Sequence, residues 1–300
     1  MDSLFKTIAL VGRFDDPRVK DPVISLVEHL RQHNIRVIVA DDAVIDLEVS
    51  RLPESEIAAE VDLIIAIGGD GTMLHAAGVA AGSDIPLLGI NRGRLGFLAD
   101  VMPVDMLPKL DQILSGDFIR ETRLMLKARL EENNGNCREG LALNDIVIQR
   151  WETGRMVDFE TRVDGCYINT HSGDGLIVAT PTGSTAYALS CGGPIIEPKL
   201  EAVVVVPVCP HTLSDRPIVI PASQEIEVRL VDRADIRAEV AADGHSLGWL
   251  TNSSRLLISA ADKHISLIHP PEYEYYEILR SKLHWGRNSR MRQALEQDDD

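Results

Sequence analysis

Apolar positions in the first 120 residues alternate between two spacings. Short runs at 7–11, 36–40, 62–67 and 86–90 are rich in Val, Ile, Leu and Ala and lack polar alternation. That is the pattern of strands covered on both faces. Between them lie segments with helical spacing. Residues 22–32 place Val23, Leu26, Val27 and Leu30 on one face, residues 72–81 are Ala-rich, and residues 105–115 repeat the pattern. Strands interleaved with helices predict a parallel, doubly wound sheet.

Past residue 121 the helical spacing nearly disappears. Strand-like runs follow at 124–130, 145–149, 175–179, 202–208, 218–220, 225–230 and 256–259. Turn pairs such as Asn134-Gly135, Asp164-Gly165 and Asp243-Gly244 punctuate this region. The expectation is an all-β second domain of layered sheets or a sandwich. Residues 275–296 become helical again and are expected to return to the first domain. The expected division is therefore 1–121 plus 275–300 for the α/β domain and 122–274 for the β-rich one. No internal repeat or low-complexity linker is present.

Composition narrows the function classes. Apolar residues make up 45% of the chain and aromatics 4%, so the core is built mostly of Val, Ile, Leu and Ala. The net charge of −16 argues against a general basic field for nucleic acid or anionic membrane. An anionic small molecule would need local backbone N–H groups, a metal or a few basic side chains. Lys6, Arg13, Asp15 and Asp16 interrupt the N-terminal apolar runs, and no stretch is long enough to span a membrane. Cys137, Cys166, Cys191 and Cys209 include no C-x-x-C pair. These features predict a cytoplasmic protein with reduced thiols.

The strongest chemical signal is Gly68-Gly69-Asp70-Gly71-Thr72, which follows an apolar strand and opens a helix. Glycines let the backbone approach a pyrophosphate, and a helix N-terminus offers free N–H groups and partial positive charge. Asp70 in that setting either takes a proton from a hydroxyl being phosphorylated, holds a metal, or caps a helix beginning at Thr72. The pattern is neither the G-x-x-x-x-G-K-[ST] loop nor the G-x-G-x-x-G fingerprint. Further along, Asn144-Asp145 suits a ribose diol or an ordinary strand-end turn. Thr180-Pro181-Thr182-Gly183-Ser184-Thr185-Ala186-Tyr187 is rich in small hydroxyl residues. Ser184 and Thr185 suit a polar pocket lining, or caps of a following helix. His29 and His33 lie four apart on a predicted helix, with no third ligand evident in the sequence, and no structural zinc site is expected.

With Asn91-Arg92-Gly93-Arg94-Leu95-Gly96-Phe97-Leu98 and Asp174-Gly175 added, these segments resemble the bacterial NAD kinase family over nearly the whole chain. The resemblance implies that ATP phosphorylates the 2′-hydroxyl of the adenosine ribose of NAD, with Mg²⁺ accompanying ATP. It implies Asp70 as catalytic base and Gly68, Gly69, Gly71 and Thr72 around phosphate. It also implies substrate contacts from Asp70, Gly71, Asn144, Asp145, Arg155, Ser172, Asp174, Thr185, Ala186, Tyr187, Ala188, Leu189, Ser190 and His245. Family members are usually dimers or tetramers. Two positions depart from the family pattern. His245 stands where an Asp-Gly-Gln turn has Gln, and Ser172 stands where many relatives carry a basic residue.

Overall fold

Seven strands build the first sheet, in the spatial order Ser50–Leu52, Arg36–Ala40, Thr7–Gly12, Leu63–Ile67, Pro86–Ile90, Ile265–His269, Ile119–Arg123. The pairings among the first five are all parallel. Leu63–Ile67 and Pro86–Ile90 are buried at every position, which explains their unbroken apolar runs. Strand order reverses between Thr7–Gly12 and Leu63–Ile67. In open α/β sheets that switch point, at the carboxyl ends of the strands, is where ligands bind. The computed structural model describes residues 3–93, 96–151, 156–231 and 236–285. The chain forms two units, the first made of 1–79, 85–121 and the stretch from 267 onward, the second of 80–84 and 122–266.

The first unit's helices differ in extent from the periodicity. One runs Pro17–Gln32, five residues longer at its start than the apolar face indicates. Asp16 caps it, accepting from the Arg18 N–H at 2.9 Å, and Pro17 occupies the first turn. Pro22 lies inside this helix, not at its start. The helix expected from Thr72 begins at Asp70 and runs Asp70–Ala80, because the Gly69 carbonyl accepts from the N–H groups of both Thr72 and Met73. The terminal helix belongs to this first unit and spans Tyr275–Leu283, ending at His284 with φ 56°. Residues 286–300 lie outside the described ones.

The second unit holds two antiparallel six-stranded sheets. The first runs Cys166–Gly173, Val157–Val163, Ile226–Val231, Ser254–Ala260, Leu126–Glu132, Cys137–Ala142. The second runs Ile218–Pro221, Ala202–Val208, Gly175–Ala179, Asp145–Arg150, Arg237–Ala242, His245–Thr251. The expected strand 124–130 is observed here two residues later, as Leu126–Glu132, and is preceded by an unexpected one, Ile119–Arg123, in the first unit's sheet. Side chains of both sheets, among them Leu130, Ile148, Phe159, Val178, Val228 and Ile258, share one core. The opposite face of the second sheet buries Ile177, Ala179, Val204 and Val206 beneath Ala188 and Ile196. That second layer seats the hydroxyl-rich segment on the sheet. Among the described residues no helix is long and apolar enough to cross a membrane.

Candidate active site

The turn after Leu63–Ile67 is shaped by what its glycines exclude. A Cβ on Gly68 would stand 2.1 Å from the Thr72 hydroxyl, so that position must be bare. A Cβ on Gly71 would meet nothing within 4 Å, and one on Gly69 only the Arg92 guanidinium, at 3.8 Å. Space therefore opens at the helix N-terminus with a cation beside it. Arg92 Nη1 donates to Asp16 Oδ2 at 2.9 Å. Asp16 is held well below the usual carboxylate range by the side chain and backbone of Arg18, with Arg92 adding to the effect.

Asp70 does not cap its own helix. Its Oδ2 accepts from the Phe97 N–H at 3.1 Å, and its Oδ1 from Leu98 at 3.0 Å and Ala99 at 3.4 Å. Gly96 makes this possible, since a Cβ there would lie 2.2 Å from Asp70 Oδ1. The buried Asn91 steadies the same loop by accepting from the Gly93 N–H at 2.7 Å, where φ is +96°. Two segments that are separate in the sequence thus meet at one carboxylate. A carboxylate oxygen has two acceptor directions. Oδ2 uses one of them on Phe97.

In the second unit Asp243, not among the site residues expected from the sequence, holds the Asn144-Asp145 backbone in place. Asp243, in the turn between Arg237–Ala242 and His245–Thr251, accepts from the N–H groups of Leu143, Asn144 and Asp145 at 2.7, 2.9 and 3.1 Å. Asp243 has φ 45° and Gly244 φ 81°, the backbone of a tight hairpin turn. Asp145 is buried beside it. Desolvation, then the neighbouring Asp243 charge, push the Asp145 carboxyl up to about 7. Asp243 is raised by burial as well, against the opposing pull of its three N–H donors and His245.

Asn144 also anchors the hydroxyl-rich run. Its carbonyl accepts from the Thr180 N–H at 2.9 Å, and a Cβ on Gly183 would sit 2.1 Å from that same oxygen. Ser184 does not line a pocket. It is fully buried, donates to the Pro181 carbonyl at 2.6 Å and accepts from the Ile196 N–H at 2.9 Å. Thr185 is half-buried and donates to the Thr182 carbonyl at 3.1 Å. Ala188 is fully buried in the apolar layer, so its side chain packs rather than faces a ligand. Ala186 and Leu189 are half-buried, and Tyr187 and Ser190 are exposed at the rim. Burial raises the Tyr187 phenol, and neighbouring Cys191, Cys209 and Asp174 add to it.

Asp174 stands between two obligatory glycines. A Cβ on Gly173 would meet the Val208 carbonyl at 2.8 Å, and one on Gly175 the Ile148 carbonyl at 2.3 Å. Its carboxylate is gripped by Arg150 Nε at 2.8 Å, a partner not anticipated from the sequence. Ser172 donates to Asp158 across the neighbouring strand pair. His245 is exposed at the start of its strand. Arg155 lies outside the described residues. Asp70 with its glycine turn belongs to the first unit, and the remaining described candidates belong to the second.

A family model described as ATP-NAD kinase N-terminal domain matches residues 8–118, and one described as ATP-NAD kinase C-terminal domain matches residues 143–270. The NAD kinase of Thiobacillus denitrificans is 41% identical over 286 residues, covering 94% of this chain and 98% of that protein. The NAD kinase of Nitrosomonas europaea is 42% identical over 298 residues, covering 97% and 100%. Among solved structures, an Archaeoglobus fulgidus NAD kinase in complex with ATP superposes with a TM-score of 0.72 at 26% identity, over 93% of this chain and 98% of that one. The fold also matches yeast NADH kinase complexed with NADH, with a TM-score of 0.86 at 23% identity over 94% and 88%.

Proposed function

This chain belongs to the ATP-NAD kinase family, and from that premise we propose a division of labour between its two signature regions. The activity is transfer of a phosphoryl group from ATP to NAD, giving ADP and NADP. The acceptor is the 2′-hydroxyl of the adenosine ribose. Its oxygen bonds to the γ-phosphorus as the bond to the β-phosphate oxygen breaks, and its proton passes to Asp70.

The observation that carries this reading is the Asp70 carboxylate, fixed by three backbone N–H groups at the edge of an open glycine turn. Phosphoryl transfer is mainly alignment and charge neutralisation, and a pre-positioned acceptor supplies the first. The helix N-terminus and Arg92 supply positive potential for phosphate oxygens in the space that Gly69 and Gly71 leave open. Asn144 and Asp145 hold ribose hydroxyls, Asp145 accepting through its carboxylate. Asp243 acts through them as a positioning residue.

A magnesium ion would enter with ATP on its phosphate oxygens, the hard ligands it prefers, and would leave Asp70 Oδ2 to the hydroxyl. When bound, the ion supplies charge neutralisation at the phosphates. The test is incubation of the purified chain with ATP, Mg²⁺ and NAD, with NADP read by an NADP-specific dehydrogenase. Formation of NADP supports the assignment, and its absence with active controls in the same assay refutes it.

A further inference from the structure

His29 and His33 sit at i and i+4 at the end of helix Pro17–Gln32, a spacing that puts both imidazoles on one face. The structure supplies a third partner from helix Met106–Leu114. Asp111 Oδ1 lies 2.6 Å from His29 Nε2 and 3.6 Å from His33 Nε2. Among the described residues these three form a group whose ligand atoms all fall within 4.8 Å of one another. The two rings are 4.6 Å apart between centroids.

One detail goes beyond proximity. His33 Nδ1 is 3.0 Å from the His29 carbonyl oxygen. Since a carbonyl only accepts, Nδ1 carries the proton and Nε2 keeps its lone pair, aimed at the position shared with Asp111. Metal-binding imidazoles are usually held this way, with the second nitrogen donating to a backbone carbonyl. Nothing in the phosphoryl-transfer site uses these residues.

We propose that His29, His33 and Asp111 bind one divalent cation of the zinc type. Two imidazoles and one carboxylate suit Zn²⁺ or Co²⁺, and three protein ligands leave a position for water. Mg²⁺ prefers oxygen ligands throughout and does not compete here. The ion ties the last turn of helix Pro17–Gln32 to helix Met106–Leu114, 82 residues apart in the chain. Both helices bury their apolar faces in the same core, through Leu26, Leu30, Leu110 and Ile113. The cation therefore stabilises the first unit without touching the reacting groups.

The experiment titrates the metal-free full-length chain with Co²⁺ and follows its visible absorption, with Zn²⁺ in calorimetry and thermal unfolding alongside. The expected result is one cobalt per chain with a nitrogen and oxygen spectrum, free of the strong near-ultraviolet band of thiolate ligation. That band would instead report the free cysteines. Zn²⁺ raises the thermal midpoint, and Mg²⁺ at equal concentration leaves it unmoved. Both Asp111→Asn and His33→Ala change exposed positions, and each is expected to weaken binding at least as much as loss of an outer-shell partner does, about 10–100-fold. The proposal is overturned if the unmodified chain takes up no cobalt at micromolar concentration. It is equally overturned if the spectrum is thiolate-like, or if affinity survives both substitutions, since His29 and Asp111 would then be only an ion pair.

Discussion

Replacing Asp145 with Asn should make the protein more stable and a worse binder of NAD. The wild-type carboxyl is raised from 3.8 to about 7 by burial and by Asp243. The gap is about three units, and each unit is worth about 1.4 kcal/mol. An ionised Asp145 therefore costs the folded state roughly 4 kcal/mol, shared with Asp243, and the isosteric amide removes that cost. Between about pH 4 and pH 7 the folded chain holds a proton that the unfolded chain has released. Wild-type stability thus falls as pH rises through this window and levels off above it. The advantage of Asp145→Asn should be small near pH 4 and complete by pH 8. Urea unfolding monitors this through Trp151 and Trp249, both in the second unit, with Trp285→Phe in the background to silence the first. Calorimetric titration with NAD should show the opposite trend, with weaker binding once the charged acceptor for ribose hydroxyls is gone. A variant no more stable than wild type at pH 8, or equally favoured at both pH values, would refute this account of Asp145.

Three further outcomes follow from the geometry. Asp70→Asn should lower kcat by about 10²–10⁴-fold while calorimetric NAD affinity stays near wild type, since a positioned general base contributes about that much; near-normal turnover removes Asp70 from the role. Gly183→Ala drives a Cβ to 2.1 Å from the Asn144 carbonyl and should destabilise the chain by about 1–3 kcal/mol in urea unfolding while raising KM for NAD. Gly71→Ala meets nothing within 4 Å, so the thermal midpoint should hold while kcat/KM for ATP drops; loss of stability instead would mean that the space serves the fold and not a ligand.

Legibility in the sequence tracked how local each cause is. Gly175–Ala179 and Ala202–Val208 have the limits that their apolar runs indicate, because strands buried on both faces carry no polar residue to blur them. Val157–Val163 was missed although it alternates strictly between buried and half-buried positions. Its Asp158, Glu160 and Arg162 break the apolar run that marks a buried strand. The glycine turn was legible because strand, turn and helix are contiguous. The hydrogen bonds that organise the sites are not. Asp243 reaches residues 98–100 positions away, and Arg92 reaches Asp16 across 76. The position of Asp243 in an Asp-Gly turn was visible, but its three distant donors were not. The same holds for Asp111, which no spacing rule connects to His29 and His33.

The place of Ile265–His269 in the first sheet has a consequence for how the chain is made. That strand lies between Pro86–Ile90 and Ile119–Arg123. The edge strand therefore has no neighbour until the ribosome has passed residue 269. At about 5–20 residues per second, the intervening stretch of roughly 150 residues takes about 7–30 s to synthesise. During that interval the edge of Pro86–Ile90 is covered only at its end, where Val101 pairs with Ile90, while most of the second unit has already been synthesised. Placing most of the second unit between Ile119–Arg123 and Ile265–His269 makes the sheet that carries the glycine turn the last part of the chain to close.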